Sequence, residues 1–383
     1  MSFGKRATLL LFVLLLASVA LASPVELDPY GFLRFEAIWD NTELVRGDWQ
    51  LWAPDANSAQ ADQQVLTMTA RHTRFGVKFN DKEQAGKWTV KGLLEADFAG
   101  GFPNSSTAAR QPLLRLRHAW VALSNDNMEV KLGQDWALLS APFPRTANFV
   151  AGAGKGNLWM RLPQIRVTTL GKPVKASVSI NRAIDGNNKY DSFTSSDLDP
   201  IGDGERSSIP FVMGRVWFGP DNATFSLFGH FGVESVADAA GALHDVNSWS
   251  ANGSVELKQG AFSITGKGFY GENLNSFFGG ILQGVIVQPS SVETVTSFGG
   301  WGQVGYAINE EWAATLGYGM DDPDSDYFTA TSRDLNSWVF ANAIYTASSK
   351  LSFMCEADYL QTEYNSGADG DNFRLMFVSM YKF

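Results

Sequence analysis

The chain has 383 residues, 45% of them hydrophobic and 13% aromatic, with 37 glycines and a single cysteine. Its 30 lysines and arginines face 40 acidic residues, a net charge of −10 that repels polyanions, and a charged fraction of 18% is too low for a disordered chain or a nucleic-acid binder. Cys355 has no partner with which to build a disulfide framework, and past the N-terminus no apolar run reaches the ~20 residues that a membrane helix needs.

At the N-terminus, Lys5 and Arg6 precede an apolar stretch from Ala7 to Leu16 that ends in Ala20-Leu21-Ala22. A charged start, a short apolar core and a small-residue site predict a secretory signal peptide over 1–22, cut before Ser23. No cysteine follows for lipidation, and the mature segment 23–383 carries 28 basic against 40 acidic residues.

From there on the chain alternates with period two in segments bounded by turn residues. Leu33, Phe35, Ala37 and Trp39 share one phase, Arg34, Glu36 and Asp40 the other. Trp88, Val90, Gly92, Leu94, Ala96 and Phe98 repeat the division against Lys87, Thr89, Lys91, Glu95 and Asp97. Sixteen such segments are expected, near 30–40, 66–79, 87–98, 113–123, 128–138, 160–170, 173–183, 209–218, 223–235, 248–257, 261–271, 297–308, 311–320, 335–346, 350–362 and 373–383. Short spacers such as Ser124-Asn125-Asp126-Asn127 and Gly219-Pro220-Asp221-Asn222 alternate with longer connections, including 41–65, 99–112, 139–159, 184–208 and 321–334. A soluble sandwich has no reason to keep its tight turns at one end. An all-β, 16-stranded antiparallel transmembrane barrel with short periplasmic turns and long external loops does, which places the protein in a bacterial outer membrane, in contact with lipid and lipopolysaccharide. Tryptophans near strand ends (Trp39, Trp88, Trp136, Trp159, Trp249) suit an interfacial girdle, and the chain ends in an alternating aromatic strand closed by Phe383.

Several stretches of the first half carry a resemblance. Tyr30-Gly31-Phe32-Leu33-Arg34-Phe35-Glu36, Arg71-His72-Thr73-Arg74-Phe75-Gly76, Gly92-Leu93-Leu94-Glu95-Ala96-Asp97-Phe98, Leu116-Arg117-His118-Ala119-Trp120, Gly133-Gln134-Asp135-Trp136 and Leu162-Pro163-Gln164-Ile165-Arg166 resemble porins of the DcaP-like, dicarboxylate-associated type. The resemblance spans roughly residues 28–170. It implies a homotrimer of 16-stranded barrels that passes small, negatively charged organic molecules, with the third loop, 139–159, folded inward as a constriction.

Charge placement gives a reading of its own. From Trp136 to Ile184 there is no acidic residue, yet Arg145, Lys155, Arg161, Arg166, Lys172, Lys175 and Arg182 give the run a charge of +7. By phase, Arg34, Arg74, Arg115, Arg117, Arg166, Arg215 and Arg374 oppose the apolar residues of their strands, so they should line the water-filled interior. With Arg145 and Lys155 of the third loop they form the expected substrate-binding, pore-lining set. Arginine suits carboxylates because its planar fork binds them bidentately. Pairing of these arginines with Glu36, Glu95, Asp97 and Asp135 is the alternative. His118 shares a phase with Leu114, Leu116, Trp120 and Ala122, which places an imidazole on the outer wall and suggests a subunit contact there.

Other chemistry is not supported. Gly152-Ala153-Gly154-Lys155-Gly156 lacks the order of a phosphate loop, and Asp322, Asp324 and Asp326 lack the glycine and closing glutamate of a calcium loop. No Gly-x-Ser-x-Gly or His-x-x-x-His accompanies the four histidines, so no enzyme, metal site or cofactor is expected. A general, non-selective porin is the alternative function, ahead of a barrel enzyme or adhesin.

Overall fold

The computed structural model describes residues 25–44, 47–81, 85–100, 112–171, 173–184 and 202–383. The expected signal peptide lies outside them, as do most of the connections at 99–112 and 184–208.

The strands are β1 (Val25–Asp40), β2 (Val65–Thr69), β3 (Arg74–Asp81), β4 (Thr89–Asp97), β5 (Arg115–Ser124), β6 (Met128–Trp136), β7 (Arg161–Thr169), β8 (Lys175–Asn181), β9 (Phe211–Phe218) and β10 (Ala223–Ala237). They continue with β11 (Leu243–Gln259), β12 (Phe262–Glu272), a small hairpin of β13 (Val285–Val287) and β14 (Val292–Thr294), then β15 (Thr296–Ala307), β16 (Trp312–Asp324), β17 (Arg333–Thr346), β18 (Leu351–Tyr364) and β19 (Gly370–Lys382). In the wall, strands that follow one another pair antiparallel, apart from β2 and β3, and β1 closes the ring by pairing Phe32–Asp40 with Lys382–Arg374 of β19. Both β2 and β3 pair with β1 and serve as one interrupted strand, so the wall is a closed barrel of 16 strands. Closure leaves no open edge, which is what a sheet in lipid requires.

Three local departures from simple alternation matter. The segment expected as one strand over 66–79 breaks at 70–73 because Arg71 turns to pair with Asp48 and His72 turns inward onto Glu36, while the Thr73 hydroxyl accepts the Arg34 backbone N–H. The connection expected between 235 and 248 is mostly ladder, with Val236 opposite His244 and Ala237 opposite Leu243. A bulge between Glu95 and Ala96 sets His118 opposite Glu95 and Leu116 opposite Ala96, which leaves Arg117 as the extra residue. Arg117 and His118 are therefore both buried on the lumenal side, and the expected outward position of His118 is corrected: its Nδ1 lies 2.9 Å from an Asp135 oxygen. A subunit contact inferred from that imidazole loses its basis.

The outer wall carries exposed Leu33, Phe35, Leu66, Met68, Phe75, Leu227 and Leu316, as lipid contact demands. Near the short turns, aromatic rings pack across strands, Trp312 stacked on Tyr345 at 4.8 Å and Phe262 tilted against Tyr306 at 4.7 Å between centroids. Trp39 and Trp249 pair with Phe373 and Tyr270 near the other strand ends. Trp136 and Trp159 do not join a girdle; they belong to an aromatic cluster with Val150 and Phe278 inside the barrel.

That interior is filled by three connections; the one between β1 and β2 buries Gln50, Leu51 and Ala53 there, with Leu51 against Val150 of the third loop. Residues 137–160, between β6 and β7, bury Leu138, Leu139 and Leu158 against Phe211, Met213, Phe228 and Phe269 of the wall. Each such side chain contributes roughly 1.5–3 kcal/mol of burial. Residues 273–284, between β12 and β13, add Leu274 and Phe277 to the same cluster, and their backbone receives the third loop through Gly154 N–H to Phe278 O (2.9 Å) and Trp159 N–H to Phe277 O (3.1 Å). Alternation gave no sign that 273–284 turns inward.

Candidate functional site

Strands β1 and β3 to β7 place their charged phase on one side of the lumen. Because Arg74, Asp97 and Arg115 occupy successive cross-strand positions, cations and anions alternate along the wall. Arg115 binds Asp97 bidentately at 3.0 and 2.8 Å. The bulge brings Arg117 between two carboxylates, with Nε 2.7 Å from Glu95 and Nη1 2.9 Å from Asp97. Glu95 also accepts the Tyr30 hydroxyl at 2.7 Å and has Arg74 Nε at 3.5 Å. Arg34 pairs with Glu36 and donates to the Ala147 carbonyl of the third loop. One step along the wall, Asp135 gathers Lys131 at 2.7 Å, His118 at 2.9 Å and Arg166 at 3.7 Å.

Between this wall and the third loop lies a cleft of about 200 Å³. Its charged lining comprises Arg34, Arg74, Arg115, Arg117 and Arg161, while Phe143, Phe149, Trp136 and Trp159 supply an aromatic side. Five guanidinium groups thus converge where three carboxylates, Glu36, Glu95 and Asp97, are paired with them. Arg161 is the uncompensated one: its guanidinium lies 4.5 Å from the Trp136 ring centre, and among the described residues no carboxylate pairs with it. Arg145, exposed on the third loop, is likewise without a carboxylate among the described residues; its backbone is held by Gln303 and Asn342. Rings beside guanidinium groups hold them in place through cation–π attraction without neutralising them.

The nine basic residues of the expected lining set therefore have different fates. Arg34, Arg74, Arg115 and Arg117 line the cleft, Arg166 sits beside it on Asp135, and Arg145 projects from the loop. Arg374, fully buried, binds Asp40 at 2.8 and 3.0 Å. Lys155, also fully buried, donates to Gln50 at 2.8 Å and lies 4.4 Å from the Trp338 ring centre; burial pushes its ammonium pKa down. Arg215 donates to the Leu138 and Ala141 carbonyls at the base of the third loop. These last three present no head group to the lumen: Arg374 is capped by the Asp48 carbonyl of the β1–β2 connection, Lys155 is turned from the third loop onto Gln50 of that same connection, and Arg215 is spent on the third-loop carbonyls. Arg161 stood in the acid-free run but not in the expected set; its place at the first residue of β7, beside the returning loop, is what puts it in the cleft.

The loop is fixed against the far wall. Glu356 of β18 accepts the Thr146 hydroxyl and the Ala147 and Asn148 N–H groups, and Asn336 of β17 donates to Gly154 O at 2.6 Å. The tip lies flat on β15 and β16: a Cβ on Gly156 would stand 2.1 Å from the Gly300 oxygen, and one on Gly319 would stand 2.4 Å from the Lys155 oxygen. Gly156 also holds φ +95°, a conformation that favours glycine.

No protein-family model matches the sequence, and no curated protein matches it. Solved structures do match in fold. The outer membrane channel DcaP of Acinetobacter baumannii superposes with a TM-score of 0.75 at 22% identity, over 94% of this chain and 97% of that one. OmpF of Salmonella typhi gives 0.62 at 14% identity over 93% and 97%, and an anion-selective porin from Comamonas acidovorans gives 0.60 at 12% over 94% and 100%. The fold is that of the outer-membrane porins, and the likeness to the DcaP channel extends well beyond the first half of the chain.

Proposed function

We propose that this outer-membrane barrel is a porin for passive diffusion of small hydrophilic solutes, preferentially anionic ones such as carboxylates, and that it catalyses no reaction. The observation that carries the reading is the excess of guanidinium groups over carboxylates in the cleft, with Arg161 there and Arg145 on the loop left unpaired. Close to a narrow, partly dewatered passage such charges raise the local anion concentration, and acidic groups more than a Debye length of about 8 Å away are screened. A carboxylate can exchange between forked donors here without a deep trap, because the neighbouring arginines already share Glu95 and Asp97. In this reading segment 139–159 is the constriction, the nine basic residues act in two groups, lining and loop-holding, and the protein works as a homotrimer among lipid and lipopolysaccharide. One of the similar folds, OmpT of Vibrio cholerae, is described in a trimer form.

Planar-bilayer reversal potentials in a salt gradient test the reading. The wild-type channel should prefer anions, and replacing Arg145 and Arg161 by glutamine should move the reversal potential toward cations with the barrel intact. A wild-type channel without preference would instead support the general porin, and a cation-preferring one would refute the anion reading.

A further inference from the structure

Lys267 is an inward-facing cation on β12, buried to 4% exposure, and no carboxylate pairs with it among the described residues. Its ammonium has three donors, and all three are used on backbone carbonyls of the third loop. Nζ lies 3.1 Å from Leu139 O and 2.8 Å from Ser140 O on the outgoing stalk, and 2.8 Å from Leu158 O on the returning stalk. A lone buried ammonium is costly unless fully hydrogen-bonded, and so are orphaned carbonyls in a loop without a ladder of its own. Each requirement is met by the other. The two stalks are also joined by Ala137 N–H to Met160 O at 2.9 Å, by the Ser140 hydroxyl to the same carbonyl at 2.9 Å and by Met160 N–H to the Ser140 hydroxyl oxygen at 3.1 Å. β12 then runs directly into 273–284, the connection that receives the loop at Gly154 and Trp159.

We propose that Lys267 is the positioning residue of the constriction: it pins both stalks of the third loop into one closed neck, so that β12 with its outgoing connection fixes how far the loop stands across the lumen. This rests on the pore reading only for the loop's role in conduction; the pin itself is a property of the loop. Arg215 assists from β9 by holding Leu138 O and Ala141 O of the outgoing stalk alone, and therefore cannot close the neck.

The test compares wild type, Lys267→Met and Lys267→Gln in detergent and in planar bilayers. Hydrogen exchange of the segment 137–160 should quicken by about tenfold or more in Lys267→Met while exchange in the wall strands is unchanged, because the neck opens locally rather than with the barrel. Lys267→Gln, whose amide can satisfy two of the three carbonyls, should fall between. In bilayers the methionine variant should flicker between conductance sublevels. Unchanged exchange in 137–160 in either folded variant overturns the proposal, and so does acceleration spread equally over the wall. If Lys267→Met fails to fold, the glutamine variant decides by the same measure. Should wild type prove to have no anion preference, the exchange result still stands alone, so failure of the pin and failure of the anion reading are distinguishable.

Discussion

The two sides of the lumen use the same residue types to opposite ends. On the wall of β1 and β3 to β7, Arg34, Arg74 and Arg115 keep 16%, 24% and 22% exposure although each touches a carboxylate. On the wall of β16 to β19, Arg374 is fully buried on Asp40, and Glu356 and Asp358 are buried beneath the third loop, whose own Lys155 is fully buried as well. The difference is not in the strands, whose inward phase is equivalent. It lies in which wall the loop rests on: where it docks, charge becomes scaffolding, and where it stands off, charge lines an open cleft.

The scaffolding side should be the more fragile. Arg374→Met leaves Asp40 buried and unpaired and should cost about 3–5 kcal/mol, whereas Arg374→Met with Asp40→Leu should recover most of the loss; thermal melting of detergent-solubilised protein reads both. Next, Glu356→Ala removes the acceptor of the Ala147 and Asn148 amides (2.8 and 3.2 Å), hydrogen bonds to a charged group that each contribute roughly 1.5–3 kcal/mol. The loop should become cleavable by trypsin after Arg145 while the barrel stays intact; resistance equal to wild type would mean the loop is held elsewhere.

On the solute side, stability should change less and selectivity more. Asp97→Asn keeps the shape of the acceptor between Arg115 and Arg117 but removes its charge, so anion preference should rise. A fall would mean that those arginines act only as partners of Asp97. Arg161→Gln gives up a cation–π contact of about 0.5–1 kcal/mol and should lower anion preference with little change in melting temperature. The smallest effect is that of salt. Selectivity should decline steadily from 0.1 M to 1 M salt as the Debye length falls from about 10 to about 3 Å. A salt-independent preference would point to a steric filter.

How much of this the chain reveals in advance follows from the range of the interactions. The barrel was legible because each strand carries its own alternation and each turn its own residues. The inward phase of Arg34, Arg74 and Arg115 was legible for the same reason. His118 was misplaced because a bulge shifts the phase by one residue without altering composition, and only the cross-strand partner reveals it. The burial of Lys155 and Arg374 depends on contacts such as Lys155 with Gln50 and Arg374 with Asp40, separated by 105 and 334 positions, which no local pattern records. Lys267 shares a phase of β12 with Thr265 and Phe269, but its three partners lie 109, 127 and 128 positions away, which no local pattern records.

The glycines beneath the loop tip carry a consequence of another kind. Gly156 against Gly300, and Gly319 against Lys155, act as the thinnest possible shim between the loop and the wall on which it rests. A single methyl group at 319 would lift the tip off the wall and narrow the opening on the other side. On the proposed reading, charge preference belongs to one wall and clearance to the other, so selection or engineering could retune the sieve without rewriting the filter.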